Sequence, residues 1–289
     1  MKLVPSQLDL FVADALDIRA KHVLDLMSRN LFSLSKKLRV EPIFHEQNDS
    51  FIRITGNAEH GIATVHDQDI LIFLISQLVH AKNLGGEIGR RIQFSGYEFW
   101  RFTGKKKANK NGYEELWNSL QRLHNTHIET DIRLGNKRRN HQFTWLSEVE
   151  QRWDGTKHIG YEVTVPDWLY DSVSKEKPWV VTLNHEYFKL TSPIERWLYL
   201  FARKSAGKQN TGWQESIQSL YEKSASLNSK DQFERTIRNI LKRRENRLFE
   251  YNIQREDTLG RTSIQRGLRF MRSKYIPNEQ RRMSLTYED

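Results

Sequence analysis

One order of elements occurs twice along this chain of 289 residues: helix, helix, basic loop, helix, β-hairpin. In the first round, an apolar run from Ile70 to Leu84 reads as a helix, with Asp67 or Asp69 placed to cap it. The glycine-marked break LGGEIGRR follows, and Ser95 caps a second helix, GYEFWRF, that stops at Gly104. The polar loop KKKANKNG leads to a third helix from Tyr113 to about His124. The period then changes to two, with Ile128, Thr130, Ile132 and Leu134 before Gly135-Asn136, and Phe143 and Trp145 after it, which predicts a hairpin with a cationic tip.

The second round opens on Ser192-Pro193, an N-cap followed by proline in the first helical position. Its helices run from Ile194 to Lys204, past Gly212 through Ile217, Leu220 and Tyr221, and from Ser229 to about Arg244. Leu248, Phe249, Tyr251 and Ile253, a turn at Gly260, and Ile264 to Phe270 form its hairpin. The two third helices share a register, Tyr113, Trp117 and Leu120 against Phe233, Ile237 and Ile240. The expected fold is α+β, two tandem winged-helix domains behind an N-terminal arm. Residues 1–45 form the arm, with a short helical pattern at Ile18–Met27; 46–185 and 186–276 form the domains, and 277–289 a tail. Strands are expected at Phe51–Ile54, Tyr161–Val165 and Trp179–Leu183, with a short helix after Pro166-Asp167-Trp168.

Charge is distributed unevenly over this frame. The net charge is +10, and Arg196 to Asp289 holds 20 Lys/Arg against 11 Asp/Glu. Trp100 to Asn140 is a second basic stretch, with ten cations and four anions. Basic patches are the electrostatic footprint of a polyanion binder, because phosphates neutralised by cations release counterions. On the last helix, the positions outside the core face are Gln232, Arg235, Arg238, Asn239, Lys242 and Arg243. Arginine and asparagine make paired hydrogen bonds to guanine and adenine edges, so this face is a candidate reader of double-stranded DNA. Arg255, Arg261, Arg266 and Arg269 on the following hairpin suit phosphates. In the first round Asn118 and Arg122 on the helix, Lys105, Lys106, Lys107 and Lys110 in the loop, and Lys137, Arg138 and Arg139 at the hairpin tip suggest backbone anchoring. A solvated, lysine-rich surface is the alternative reading of that set.

No motif points to catalysis. Gly85-Gly86-Glu87-Ile88-Gly89 lacks the Gly-Lys-Ser/Thr of a phosphate loop, and no histidine pair has a metalloprotease or relaxase spacing. His66, Asp67 and Asp69 are read as helix-capping residues rather than cation ligands. The chain has no cysteine, which excludes disulfides and thiolate chemistry and fits a cytoplasmic, nucleoid- or plasmid-associated protein. No window approaches the roughly 18 uninterrupted apolar residues of a membrane span. The expectation is a DNA-binding protein with no catalytic site, cofactor or metal, and no membrane partner.

At the N-terminus, Gln7-Leu8-Asp9-Leu10-Phe11 offers a polar anchor and apolar plugs for a shallow groove, and matches the bacterial sliding-clamp pentapeptide at every position. Together with FSLSKKLRVEPI at Phe32–Ile43, DILIFLISQLVHAKN, FSGYEFWRFTG and TSPIERWLYLFARKSAG, this stretch gives the chain a resemblance to a known family. It resembles the replication initiator protein A (RepA/RPA) family of plasmids, and more broadly the winged-helix iteron-binding initiators of the RepE and TrfA type. The resemblance implies binding of repeated origin DNA (iterons), opening of the neighbouring duplex, and recruitment of host proteins: the sliding clamp, the initiator DnaA and the replicative helicase. It also implies a homodimer made through the first domain. A winged-helix transcriptional or copy-control repressor is the alternative that the residues leave open.

Overall fold

A computed structural model of the chain describes residues 21–23, 29–35, 37–47, 50–105, 109–130, 141–175, 180–206, 212–243, 247–248, 251–255, 258–259, 264–265 and 267–272. The clamp-type peptide Gln7–Phe11, the loop residues Lys106 and Lys107, the tip residues Lys137, Arg138 and Arg139, and Arg261 and Arg266 lie outside the described residues.

The first part of the fold consists of β1 (Lys21–Val23), β2 (Ile43–Gln47), β3 (Ser50–Thr55), α1 (Gln68–Asn83), β4 (Arg91–Phe94), α2 (Gly96–Thr103) and α3 (Lys110–Asn125). It continues with β5 (His127–Thr130), β6 (His141–Thr144), β7 (Glu148–Asp154), β8 (Lys157–Thr164), α4 (Asp167–Ser174) and β9 (Val180–Thr182). The second part holds α5 (Pro193–Ser205), β10 (Trp213–Ser216), α6 (Ile217–Ser224), α7 (Lys230–Arg243), β11 (Arg247–Leu248), β12 (Tyr251–Arg255), β13 (Thr258–Leu259), β14 (Ile264–Gln265) and β15 (Gly267–Arg272). The result is a mixed helix-and-sheet protein whose named strands all pair antiparallel.

Helix α1 is the central post. Thirteen of its residues are buried, as expected of a helix apolar on all sides. Phe73 meets Phe94, Phe99 and Phe102 edge-on, with ring centroids 5.3 to 5.8 Å apart, which seats α2 and β4 against it. Ser95 and Glu98 close a reciprocal capping box on α2, and Gly104 ends that helix in the left-handed region. Ser192 accepts from the Glu195 amide at the start of α5, with proline in its first turn.

The sheet orders show how each half is closed. One three-stranded sheet runs β4-β8-β7, and a four-stranded sheet runs β10-β15-β12-β11. In each, the short strand preceding the second helix pairs with the outgoing strand of a later hairpin. Gly160 lets β8 pass β4: its φ is +147°, and a Cβ there would sit 2.5 Å from the Phe94 carbonyl oxygen.

Three sequence expectations change. The hairpin at Ile128–Trp145 forms, but as β5–β6 in a separate sheet ordered β2-β3-β5-β6; the hairpin that closes the helical unit is β7–β8. Alternation signals a hairpin and says nothing about which sheet receives it. The helical pattern at Ile18–Met27 gives way at Lys21–Val23 to β1, which finds an open partner in β9, itself a β-branched run. The shared register is also displaced. Phe233, Ile237 and Ile240 are buried as expected, but α3 buries Leu116, Leu120 and Leu123 instead, leaving Tyr113 36% exposed and Trp117 half-buried. The spacing i, i+4, i+7 is the same in both helices, three residues further along α3.

Candidate nucleic-acid interface

Helix α7 is pinned from below. Phe233 packs against Trp197 and Tyr221, with centroids at 6.4 and 5.6 Å, and Ile237 and Ile240 continue the buried face. The first turn is held by Ser229, whose hydroxyl accepts from the Gln232 amide at 3.3 Å. The opposite face presents Gln232, Arg235, Arg238, Asn239 and Lys242, all exposed. Arg238 donates to Glu234 at 3.2 Å, one turn back, on a side chain still 55% exposed. A surface pair of this kind contributes little and is readily exchanged for a phosphate. Arg255 on β12 is also exposed. The side chains of Arg243 and Arg269 lie outside the described residues.

The first unit places its cations differently. Arg122 forms a two-pronged pair with Asp67, both N–O distances 2.7 Å, and donates to Ser119 at 2.9 Å. Lys105 donates to Asp69 at 2.7 Å. These two expected DNA contacts are therefore held by carboxylates inside the protein. Lys110 is 89% exposed opposite Glu114, and Asn118 is exposed. Asp67 stands at the N-cap position of α1 without a capping bond; its carboxylate accepts from the Thr64 amide and hydroxyl and from Arg122. Among the described residues no cluster of His, Asp or Glu has metal-binding geometry.

Asp69 is the negative centre of this region. It is fully buried and accepts from Arg196 at 2.5 Å as well as from Lys105. Burial alone would raise its carboxyl, yet Arg196 and Lys105 outweigh that and hold it below the usual carboxylate range. Arg196, equally buried, fills its remaining valences with the Leu190 and Phe188 carbonyls at 2.7 and 3.3 Å and lies 4.7 Å from the Tyr187 ring centre. This pair ties α1 to α5, joining the two halves through the core. Sequence reading missed Arg196; its signal was a lone cation inside the apolar helix Ile194–Phe201. Beside it, burial and the Arg196 charge push His66 down to about 4. His66, Asp67, Trp100, Lys105, Glu115 and Arg122 line a pocket of about 230 Å³ between α1, α2 and α3.

Residues 21–253 match the protein family described as Replication initiator protein A. A protein of Wigglesworthia glossinidia brevipalpis described as "Putative replication protein" is 30% identical over 254 residues, 85% of this chain and 88% of that one. Among solved structures, domains 2 and 3 of RctB superpose with a TM-score of 0.62 at 12% identity, over 88% of this chain and 99% of that one. A second structure of RctB domains 2-3 gives 0.56 at 12% identity, over 84% and 95%. At that identity the likeness is one of fold. No described helix is long and apolar enough to cross a membrane.

Proposed function

This chain belongs to the replication initiator protein A family, and from that premise we propose that it binds repeated origin sequences of a plasmid or related mobile element through two winged-helix units and thereby starts replication. The observation that carries this reading is the exposed face of α7, with Arg235, Arg238, Asn239 and Lys242 above a fully buried Phe233, Ile237 and Ile240. An exposed Arg/Asn row on the last helix of a helix-turn-helix is the chemistry needed to read a major groove. The order α5-β10-α6-α7-β12-β15, with sheet order β10-β15-β12, supports a winged helix, and α1-β4-α2-α3-β7-β8 repeats it. Lys106, Lys107, Lys137, Arg138 and Arg139 are assigned to the phosphate backbone on charge alone.

Initiation distinguishes this protein from a repressor through its partners. Gln7–Phe11 is assigned to the sliding clamp, and DnaA and the replicative helicase are the further host proteins expected at the opened origin. The first unit is the proposed site of a homodimer. The test has two arms. A plasmid whose replication depends on this gene and its flanking direct repeats should replicate autonomously, whereas a repressor would not support it. Deleting residues 7–11 should abolish binding to purified clamp and leave duplex binding unchanged; clamp binding that survives the deletion rejects the peptide assignment.

A further inference from the structure

The C-terminal end of α6 is capped from far away in the chain. The last carbonyls of a helix have no partner within it and carry the negative end of its dipole. Here three successive carbonyls are taken by side chains and backbone from residues 30 and 39. The Asn30 amide donates to the Lys223 carbonyl at 2.9 Å, and its side-chain amide to the Ser224 carbonyl at 2.8 Å. Arg39 donates to the Ala225 carbonyl at 2.8 Å. Asn30 and Arg39 are 2% and 5% exposed, and the contacts span 186 to 194 residues of sequence. Ala225 itself takes the left-handed conformation, φ +48°, at the turn that leads into α7.

The same segment is fastened to the first unit along its other side. Ser33 donates to the Ala63 carbonyl at 2.8 Å, and Val65 donates back to the Ser33 carbonyl at 3.1 Å. Ile62 donates to the Arg39 carbonyl at 2.8 Å, and His45 bonds the Asn30 carbonyl at 2.9 Å. Phe32 stacks on Trp145 at 4.6 Å. Residues 30–35 and 37–39 therefore form a strap with one edge in the first unit and the other on the α6–α7 turn of the second.

We propose that Asn30 and Arg39 are positioning residues for DNA recognition: they fix the α6–α7 turn to the first unit, so that α7 meets a duplex at one angle. The proposal rests on the reading of α7 as the DNA-contacting helix. A paired hydrogen bond to a base edge fails when the donor is misplaced by a fraction of an ångström, whereas attraction to phosphates tolerates a change of angle. Loss of the strap therefore removes sequence preference and leaves general affinity in place.

The test uses the full chain with a duplex that the wild type enriches from a random-sequence pool, and a scrambled duplex of equal length. Asn30→Ala and Arg39→Met are expected to lower the ratio of the two affinities about tenfold, the scale of one or two lost buried hydrogen bonds, with the salt dependence unchanged. Arg39→Lys, which keeps a charge at the carbonyls but loses the fork, is expected to recover part of the ratio. Because the chain has no cysteine, spin labels at Glu87→Cys and Lys230→Cys report the distance between the units, and its distribution should broaden in the strap variants. An unchanged affinity ratio with an unchanged distance distribution in folded Asn30→Ala or Arg39→Met overturns the proposal. A wild type with no preference between the two duplexes rejects the DNA reading of α7 itself, a different result.

Discussion

Helices α3 and α7 hold the same place in two copies of one order of elements, and their surfaces have little in common. Between Lys110 and Asn125 there are two Lys/Arg and two Asp/Glu; between Lys230 and Arg243 there are five and two. The hairpins differ in the same sense. From Glu148 to Thr164 acids outnumber bases four to two, whereas from Tyr251 to Arg272 bases outnumber acids five to two. In place of cations the first face exposes Tyr97, Tyr113, Trp153 and Ile159. The lesson is that topology sets where a helix lies and surface chemistry decides what it meets. By charge alone, the face of α7 and its hairpin is the more favourable of the two for a polyanion.

In the first unit, Lys105 and Arg122 near α1 are held by the buried carboxylates of Asp69 and Asp67. The largest expected effect tests that. Asp69→Ala leaves the fully buried Arg196 with its carbonyl partners but without its carboxylate, and should cost about 3–5 kcal/mol in denaturant unfolding, because a buried charge is left without its counter-charge. Asp69→Leu combined with Arg196→Met should recover most of that loss, since removing both charges removes the desolvation cost too. If Asp69→Ala unfolds like the wild type, the pair is not a core element and Lys105 returns to the list of DNA contacts.

The next effect compares the helices directly. Arg238→Ala or Asn239→Ala should each weaken binding to the enriched duplex by about 10- to 100-fold, the scale of one paired base contact. Asn118→Ala on α3 should stay within about twofold, as expected for a rim position outside base contact. Equal losses on the two helices in a filter-binding or anisotropy titration would erase the contrast between the units.

How much of this was legible follows the same division. Helices with local signals were readable: Ser95 with Glu98, Ser192 with Pro193, and Ser229 each mark a helix start in the residues themselves. The face of α7 was readable because its apolar and cationic residues separate at helical spacing. What stayed hidden depends on partners distant in sequence. The strands β4 and β10 are four residues each and acquire their identity only from β8 and β15. Arg122 and Lys105 look like free cations in the sequence, since nothing local announces that Asp67 and Asp69 lie beneath them. Asn30 and Arg39 fall in a stretch read as an arm, and the carbonyls they serve are nearly 200 residues on.

The smallest effect separates the two units by pH. His66 lies in the first unit beside the buried charges, and its folded value is about 4 against an ordinary 6.5. The unfolded chain takes up a proton on His66 as pH falls through about 6.5, while the folded chain refuses it until about 4. Stability therefore declines over that window as the solution is acidified. His45 and His158, also lowered by burial, act in the same direction, so the measurement is a difference between proteins. His66→Gln should lose less stability than the wild type between pH 6.5 and 4.5, by on the order of 1–2 kcal/mol once solvent screening trims the full shift. Asp69 does not confound this, since a depressed carboxylate keeps its contribution until pH falls below the ordinary carboxylate range. Urea unfolding at both pH values gives the difference. Parallel pH profiles for wild type and His66→Gln would mean that the imidazole is hydrated, and that the region around α1 is more open than the paired charges require.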